Sequence, residues 1–417
     1  MTSTTVTIIG AGQAGLSMSR CLSERSIDHV LLERGEVANS WKTERWDSLC
    51  LLTPNWMTRL PDGQYAGDDP NGYMTATEVA NFLETYGAHV EAPVIANTVV
   101  ESVRPTDDGF RTVTNNGEWV SKAVVVATGA CSTPRIPEIA GLVPGNVRQL
   151  APIHYRNPDQ LDSGRVLVVG ASASGAQIAD ELARSGRAVT LAVGDHVRLP
   201  RTYRGMDIHW WMDSLGLLDE RIADVEDISR ARRLPSLQLV GSPEGRDIGL
   251  NELARNGVDI TGRLVGVSGS TAQFSGSFAN SCASADLKQG RLLEAIDEFA
   301  LATGLESELP DPTRPSTTEL PAARLTLSLD EVSTVVWATG FVPNYPWLDT
   351  NLLDRKGAIR HDGGVMAHPG MYVLGLPFLR RRKSTFLDGV GFDAKELATH
   401  LNDYLANSVA SPMRTGG

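Results

Sequence analysis

The sequence predicts an α/β fold made of two Rossmann-like dinucleotide-binding domains, the second nested within the first. Three observations carry this reading. A glycine-rich turn, GAGQAG (10–15), stands between a β-rich run and a helical pattern near the N-terminus. The same grammar returns 160 residues later at GASASG (170–175). Two apolar runs, AVVVATGA (123–130) and TVVWATGF (334–341), both end in Ala-Thr-Gly, where glycine permits close approach or a positive φ.

TVTII (5–9) is the opening strand, and LSMSRCLSER (16–25) spaces its apolar residues as a helix does. HVLLE (29–33) is a second strand that ends in an acid. Strand, glycine turn, helix and strand within about 30 residues is the context in which GxGxxG is informative. RVLVVG (165–170), AQIADELARSG (176–186) and AVTLAV (188–193) repeat that order around the second turn. Further on, AQFSGSFANSCASA (272–285) reads as polar and irregular, and LPDPTRPSTTELP (309–321) as a linker. MYVLGL (371–376) reads as a strand and FDAKELATHLNDYLA (392–406) as a helix. The order predicts one domain from 1–150 and 326–417, with the other inserted as 151–325.

Composition narrows the partners. The chain has 417 residues, 38 Lys plus Arg against 50 Asp plus Glu, and a net charge of −12, which disfavours a broad basic face for nucleic acid. Cys21, Cys50, Cys131 and Cys282 lie far apart, with no CxxC and no Cys/His cluster at zinc spacing, so no metal site and no redox-active dithiol is expected. No apolar run approaches the ~20 residues of a membrane span. A strand pattern begins by Val6, so no leader is expected and the cytoplasm is the expected location.

The glycines of such a turn divide its work. Gly10 and Gly170 allow the tight turn, Gly12 and its counterpart Ser172 the approach to a pyrophosphate, and Gly15 and Gly175 the packing of helix on strand. Free N–H groups and the helix dipole then hold the anion. Glu33, 18 residues after Gly15, can accept both ribose hydroxyls, as the adenosine half of FAD or NAD requires. The equivalent position in the second unit is Val193, and Arg198, Arg201 and Arg204 follow. Arginines there suit a 2′-phosphate, so the second unit reads as an NADPH site, although Asp195 could still serve NAD. Against this, the three arginines also read as an ordinary solvated face. His209, Trp210 and Trp211 read as core packing ahead of a substrate wall. Arg380, Arg381, Arg382 and Lys383 read equally as a solvated loop or an anion contact.

GAGQAG with Glu33, ATG at 127–129, GASASG and ATGF at 338–341, in this order, resemble the class B flavin-dependent monooxygenases, the flavin-containing monooxygenase family. The resemblance covers most of the chain and is weakest across 220–325. It implies FAD in the first unit, with Gly129 and Gly340 close to the cofactors, and NADPH in the nested one. SWKTERWDSLCLLTP (40–54) resembles the segment after the ribose acid and implies that Trp41 and Arg45 line the FAD. LDGVGFDAKELA (387–398) resembles the C-terminal flavin segment and implies that Gly389 faces the flavin ring.

There are departures. The family fingerprint ends in HxxxY; Tyr155 matches, but Ala151 stands where the His belongs. An Asn two residues before a Pro is replaced by Leu52, which leaves Asn55 and Thr53 as the catalytic candidates. The implied activity is FAD- and NADPH-dependent oxygenation of a small-molecule nucleophile, an amine nitrogen or a sulfide sulfur, through a C4a-hydroperoxyflavin. The implied partners are that substrate and O2, with no nucleic acid or membrane, and a homodimer as the candidate assembly. Two further readings stand beside it. One is a flavin NADPH oxidoreductase or oxidase that passes electrons elsewhere. The other is a binding protein that keeps FAD without turnover.

Overall fold

The computed structural model describes residues 1–319 and 324–410. Leu320 and Pro321 of the expected linker lie outside the described residues.

Two sheets are each built around a buried apolar strand that runs into its glycine turn and pairs in parallel on both sides. In the first, Val6–Ile9 lies between Ala123–Val126 and His29–Leu32, with Met371–Val373 and Val94–Ile95 beyond them. In the second, Arg165–Val169 lies between Val332–Trp337 and Val189–Val193, with Arg148–Leu150 and Asp259–Gly262 outermost. All four residues of Val6–Ile9 and of Ala123–Val126 are buried, as strands covered on both faces must be. Alternation decides the second sheet's two cores. Val166 and Val168 pack with Ile178 and Leu182 of the helix Ala173–Arg184. Leu167 and Val169 turn the other way, onto Trp337, Phe274 and Leu327.

The strand pairing corrects the expected boundaries. TVVWATGF does not return the chain to the first sheet; its strand Val332–Trp337 pairs in parallel with Arg165–Val169 in the second. Arg148–Leu150, assigned to the first domain by sequence, pairs with the same strand. The chain instead crosses near 133 and returns near 342. There the two passing segments bond to each other: Arg135 N–H donates to the Gly340 carbonyl at 2.8 Å, and Val342 N–H to that of Thr133 at 2.9 Å. Each Ala-Thr-Gly run therefore closes the sheet that holds its own glycine turn.

Two other expectations change. The polar stretch 272–285 contains a strand, Thr271–Phe274, and the start of a 25-residue helix, Phe278–Ala302. Its buried stripe is Phe278, Cys282, Ala285, Gln289, Leu293, Ile296 and Ala300. The spacing is helical, but small and polar residues dilute the pattern. The C-terminal helix runs Leu387–Ala410, beginning five residues before the periodic segment. No described helix is long and apolar enough to cross a membrane.

Candidate dinucleotide sites

The two glycine turns share one local geometry. Gly10 and Gly170 adopt φ of +107° and +105°. A Cβ on Gly10 would lie 2.7 Å from the Ala127 carbonyl oxygen, and one on Gly170 2.3 Å from that of Ala338. A Cβ on Gly15 would lie 1.9 Å from the Gly10 oxygen, and one on Gly175 1.8 Å from the Gly170 oxygen. These four positions exclude side chains because backbone already fills the space. Gly12 is the opposite case: nothing lies within 4 Å of its missing Cβ, the room a pyrophosphate needs. Gly129 and Gly340, at φ of +73° and +86°, also face open space.

At the first turn Glu33 is buried. It accepts from the Ala11 N–H at 2.7 Å and the Gly35 N–H at 3.1 Å. Gln13 carries no sequence signal of its own, yet it joins the site's parts. Its amide nitrogen donates to the Thr385 carbonyl at 3.0 Å, and its oxygen accepts from the Trp41 indole at 3.3 Å. The Arg45 guanidinium lies 5.2 Å from the Trp41 ring centre, and desolvation pulls it below the usual arginine range. Trp41, Arg45, Gln13, Glu33 and the turn thus form one connected surface beside the segment that starts the last helix. Gly389 is within that helix's first turn, where a Cβ would lie 1.7 Å from the Lys383 carbonyl oxygen. Its visible role is packing. The described residues hold no cluster of metal-ligating side chains.

At the second turn Ser172 precedes the helix without capping it through its side chain, and the Ala173 N–H donates to the Ser236 hydroxyl at 3.3 Å. Gln238 donates to the Ala171 carbonyl at 2.6 Å. Ser236 and Gln238, the latter in the short strand Leu237–Gln238, carry no motif, so only the fold reveals them.

The arginine run is a correction. Arg198 is buried against Asp286 at 2.5 Å and also donates to the Ser316 carbonyl and the Thr318 hydroxyl at 3.1 Å. Arg201 is fully buried. It donates to Asp207 at 2.7 Å, to His209 Nδ1 at 2.9 Å and to the Leu52 carbonyl at 2.8 Å, with the Tyr73 ring 4.9 Å away. Arg204 is buried against the Pro310 carbonyl and Asp297. None of the three is free for a phosphate: each neutralises an acid or caps a carbonyl inside the protein.

One of the two catalytic candidates is corrected too. Asn55 is buried with its amide turned into a loop: its nitrogen donates to the Asp69 carbonyl at 2.9 Å and its oxygen accepts from the Met74 N–H at 2.8 Å. It closes residues 69–74. Thr53 is half-buried beside it. Tyr155 is fully buried and donates to Glu181 at 2.7 Å, while Ala151 is simply buried. Trp211 is core, its indole donating to the Tyr203 carbonyl at 2.8 Å. The basic run 380–383 is neither solvated nor an anion contact. Lys383 N–H donates to the Leu218 carbonyl at 3.1 Å, its ammonium meets Asp388 at 3.0 Å and Asp219 at 3.1 Å, and Arg381 meets Asp393 at 2.9 Å. It fastens the first unit to residues 218–222 of the second.

Comparison with known proteins agrees with this architecture. Residues 7–205 match a family described as pyridine nucleotide-disulphide oxidoreductase. An uncharacterized CzcO-like oxidoreductase of Geobacillus kaustophilus is 35% identical over 404 residues, 96% of this chain and 98% of that protein. The indole-3-pyruvate monooxygenase YUCCA6 of Arabidopsis thaliana is 34% identical over 210 residues, 48% of this chain and 50% of its own length. A solved flavin-containing monooxygenase from Stenotrophomonas maltophilia shares the fold, with a TM-score of 0.68 at 21% identity over 97% of this chain and 100% of that one.

Proposed function

This chain belongs to the CzcO-type oxidoreductases and carries the class B flavin monooxygenase architecture, and from that premise we propose that it is an FAD- and NADPH-dependent monooxygenase acting on an amine nitrogen or a sulfide sulfur. The observation that carries the reading is the duplicated turn. One copy is served by a buried carboxylate, Glu33; the other has Val193 in its place, so the two turns select different dinucleotides.

In this reading the first unit holds FAD through Gly10, Gly12, Gly15 and Glu33, with Trp41 and Arg45 alongside. FAD held there would supply the redox and oxygen chemistry. The protein's part is to bind, orient and keep water out. Leu52 packs with the apolar cluster around Tyr203 and Trp211, and His209 meets the Phe386 ring edge-on at 6.4 Å, so apolar side chains line part of the zone where the two units meet. No cysteine pair stands in CxxC spacing to take the electrons onward.

The test is NADPH turnover under 18O2 with a panel of thioethers and amines. The expected result is one labelled oxygen in product per NADPH consumed with at least one class. Quantitative H2O2 with every compound would overturn the reading and favour an NADPH oxidase. Asn55, turned away into its loop, is the observation that speaks for that second reading.

A further inference from the structure

We propose that Arg263 receives the 2′-phosphate of the nicotinamide dinucleotide, and that Asp195 tempers the resulting preference. The assignment rests on the reading of the second unit as the NADPH unit, and it replaces the three buried arginines with one that is available.

Hydrogen bonding puts the two units in the same register. Gly10 N–H donates to the Leu32 carbonyl and Gly170 N–H to the Ala192 carbonyl, both at 2.9 Å, so Val193 stands where Glu33 does. In the first unit that strand end offers a carboxylate. In the second it offers a side chain that is 1% exposed and apolar. The neighbouring parallel strand pairs Gly262 with Val193, which brings Arg263 alongside Gly194. Gly194 leaves the path clear: a Cβ there would come within 3.4 Å of Arg263 Nε. The turn itself is fixed, because His196 Nδ1 bonds the Gly194 carbonyl at 3.1 Å and the Arg263 carbonyl accepts from the Ser275 N–H at 2.8 Å.

The guanidinium is therefore anchored at its backbone and open at its tip. Its side chain is 59% exposed, and its acidic partner among the described residues is Asp195 at 3.2 Å, itself 77% exposed. An exposed pair of this kind is weak and readily exchanged. A phosphate offers a stronger, two-pronged acceptor to the same guanidinium. Asp195 competes for Arg263 when the dinucleotide is absent and repels the phosphate when it is present. It can instead accept the 2′-hydroxyl of a dinucleotide that lacks the phosphate.

The experiment titrates 2′,5′-ADP and 5′-AMP into the FAD-loaded protein by calorimetry, for the wild type, R263Q and D195N. The wild type is expected to prefer 2′,5′-ADP. R263Q should weaken 2′,5′-ADP at least about tenfold, the loss of a charge-assisted contact, while 5′-AMP moves less than about threefold. D195N should tighten 2′,5′-ADP several-fold. A wild type that binds neither probe overturns the reading of the unit and this assignment with it. A wild type that prefers 2′,5′-ADP and an R263Q variant that keeps the preference overturn the assignment of Arg263 alone. D195N affinity equal to the wild type removes Asp195 from it.

Discussion

Glu33 accepts from two backbone N–H groups, that of Ala11 in the glycine turn at 2.7 Å and that of Gly35 just past its own strand at 3.1 Å. A carboxylate in that role shapes the turn before any ligand arrives, and in the proposed function its free lone pairs serve ribose hydroxyls. Replacing it with Ala removes both functions. Glu33→Ala is expected to lose FAD on gel filtration while retaining its fold, and a variant that stays fully loaded with unchanged thermal stability would refute the ribose role. This residue was legible from sequence because strand, turn and acid are all local. Arg198, Arg201 and Arg204 were not, because their partners are Asp286, Asp207, Asp297 and the carbonyls of Leu52 and Pro310. Whether an arginine faces water or a buried acid is decided by chain that is distant in sequence. Asn55 misled for a related reason: its place beside Pro54 is local, but the loop it closes lies at 69–74.

The helix Phe278–Ala302 shows what an element scale adds. Asp286 on it binds Arg198, the Thr318 N–H at 2.9 Å and the Thr318 hydroxyl at 3.0 Å, so one carboxylate pins part of the expected linker to the second unit. Burial would raise this carboxyl, but the Thr318 and Arg198 contacts outweigh it and hold it below the usual aspartate range. Asp286→Ala would strand the Arg198 charge in the interior. A loss of roughly 3–5 kcal/mol in urea unfolding is expected, as for other buried pairs broken on one side. The ratio of NADPH to NADH efficiency should stay put, because Arg198 is not a phosphate ligand. A changed ratio with unchanged stability would restore the arginine run to the cofactor. The glycine turns and their flanking strands were readable because apolar runs and glycines announce them. This helix was not, because a stripe of Cys, Ala and Gln carries little hydrophobic signal.

At the scale of the whole molecule the two units are joined by charged side chains removed from water. Arg201 reaches across to the Leu52 carbonyl and the Tyr73 ring, and the Tyr73 hydroxyl donates to Asp207 at 2.6 Å. Burial alone would raise the Asp207 carboxyl, but its contacts with His209 and Arg201 hold it down at about 2. Such a joint is specific but costly to leave half-made. Arg201→Met is therefore expected to loosen the units rather than to change cofactor choice. It should appear as earlier cleavage by a trace protease between them, and a digestion pattern identical to the wild type would show that the joint is held elsewhere. Nested topology was visible in the repeated motifs. The joint was not, since each of its members looks ordinary in isolation.

The same joint makes the fold sensitive to acid. Arg201 can only donate, so His209 Nδ1 must accept, and the imidazole is neutral with its proton on the other nitrogen. Burial, the largest effect, pulls His209 below the ordinary histidine value; Asp207 opposes this, and the Arg201 guanidinium adds to it. His29 and His196 are pulled down by burial as well, and His361 is brought to about 4 by burial and the Arg232 charge. In each case the unfolded chain takes the proton first. The stability these groups allow is fully present above about pH 6.5 and declines below it, by roughly 1.4 kcal/mol per pH unit for each histidine still neutral in the fold. Asp207 acts later and in the same direction, its contribution fading from about pH 4 toward its own value of about 2. The urea midpoint is thus expected to be level from about pH 8 to 7 and to fall steeply between about 6.5 and 5. His209→Gln should flatten that fall by one histidine's share, because a glutamine oxygen can accept from Arg201 without titrating. A midpoint that stays constant down to about pH 5 would mean that these imidazoles gain their protons within the folded protein, and that the joint yields to charge instead of resisting it.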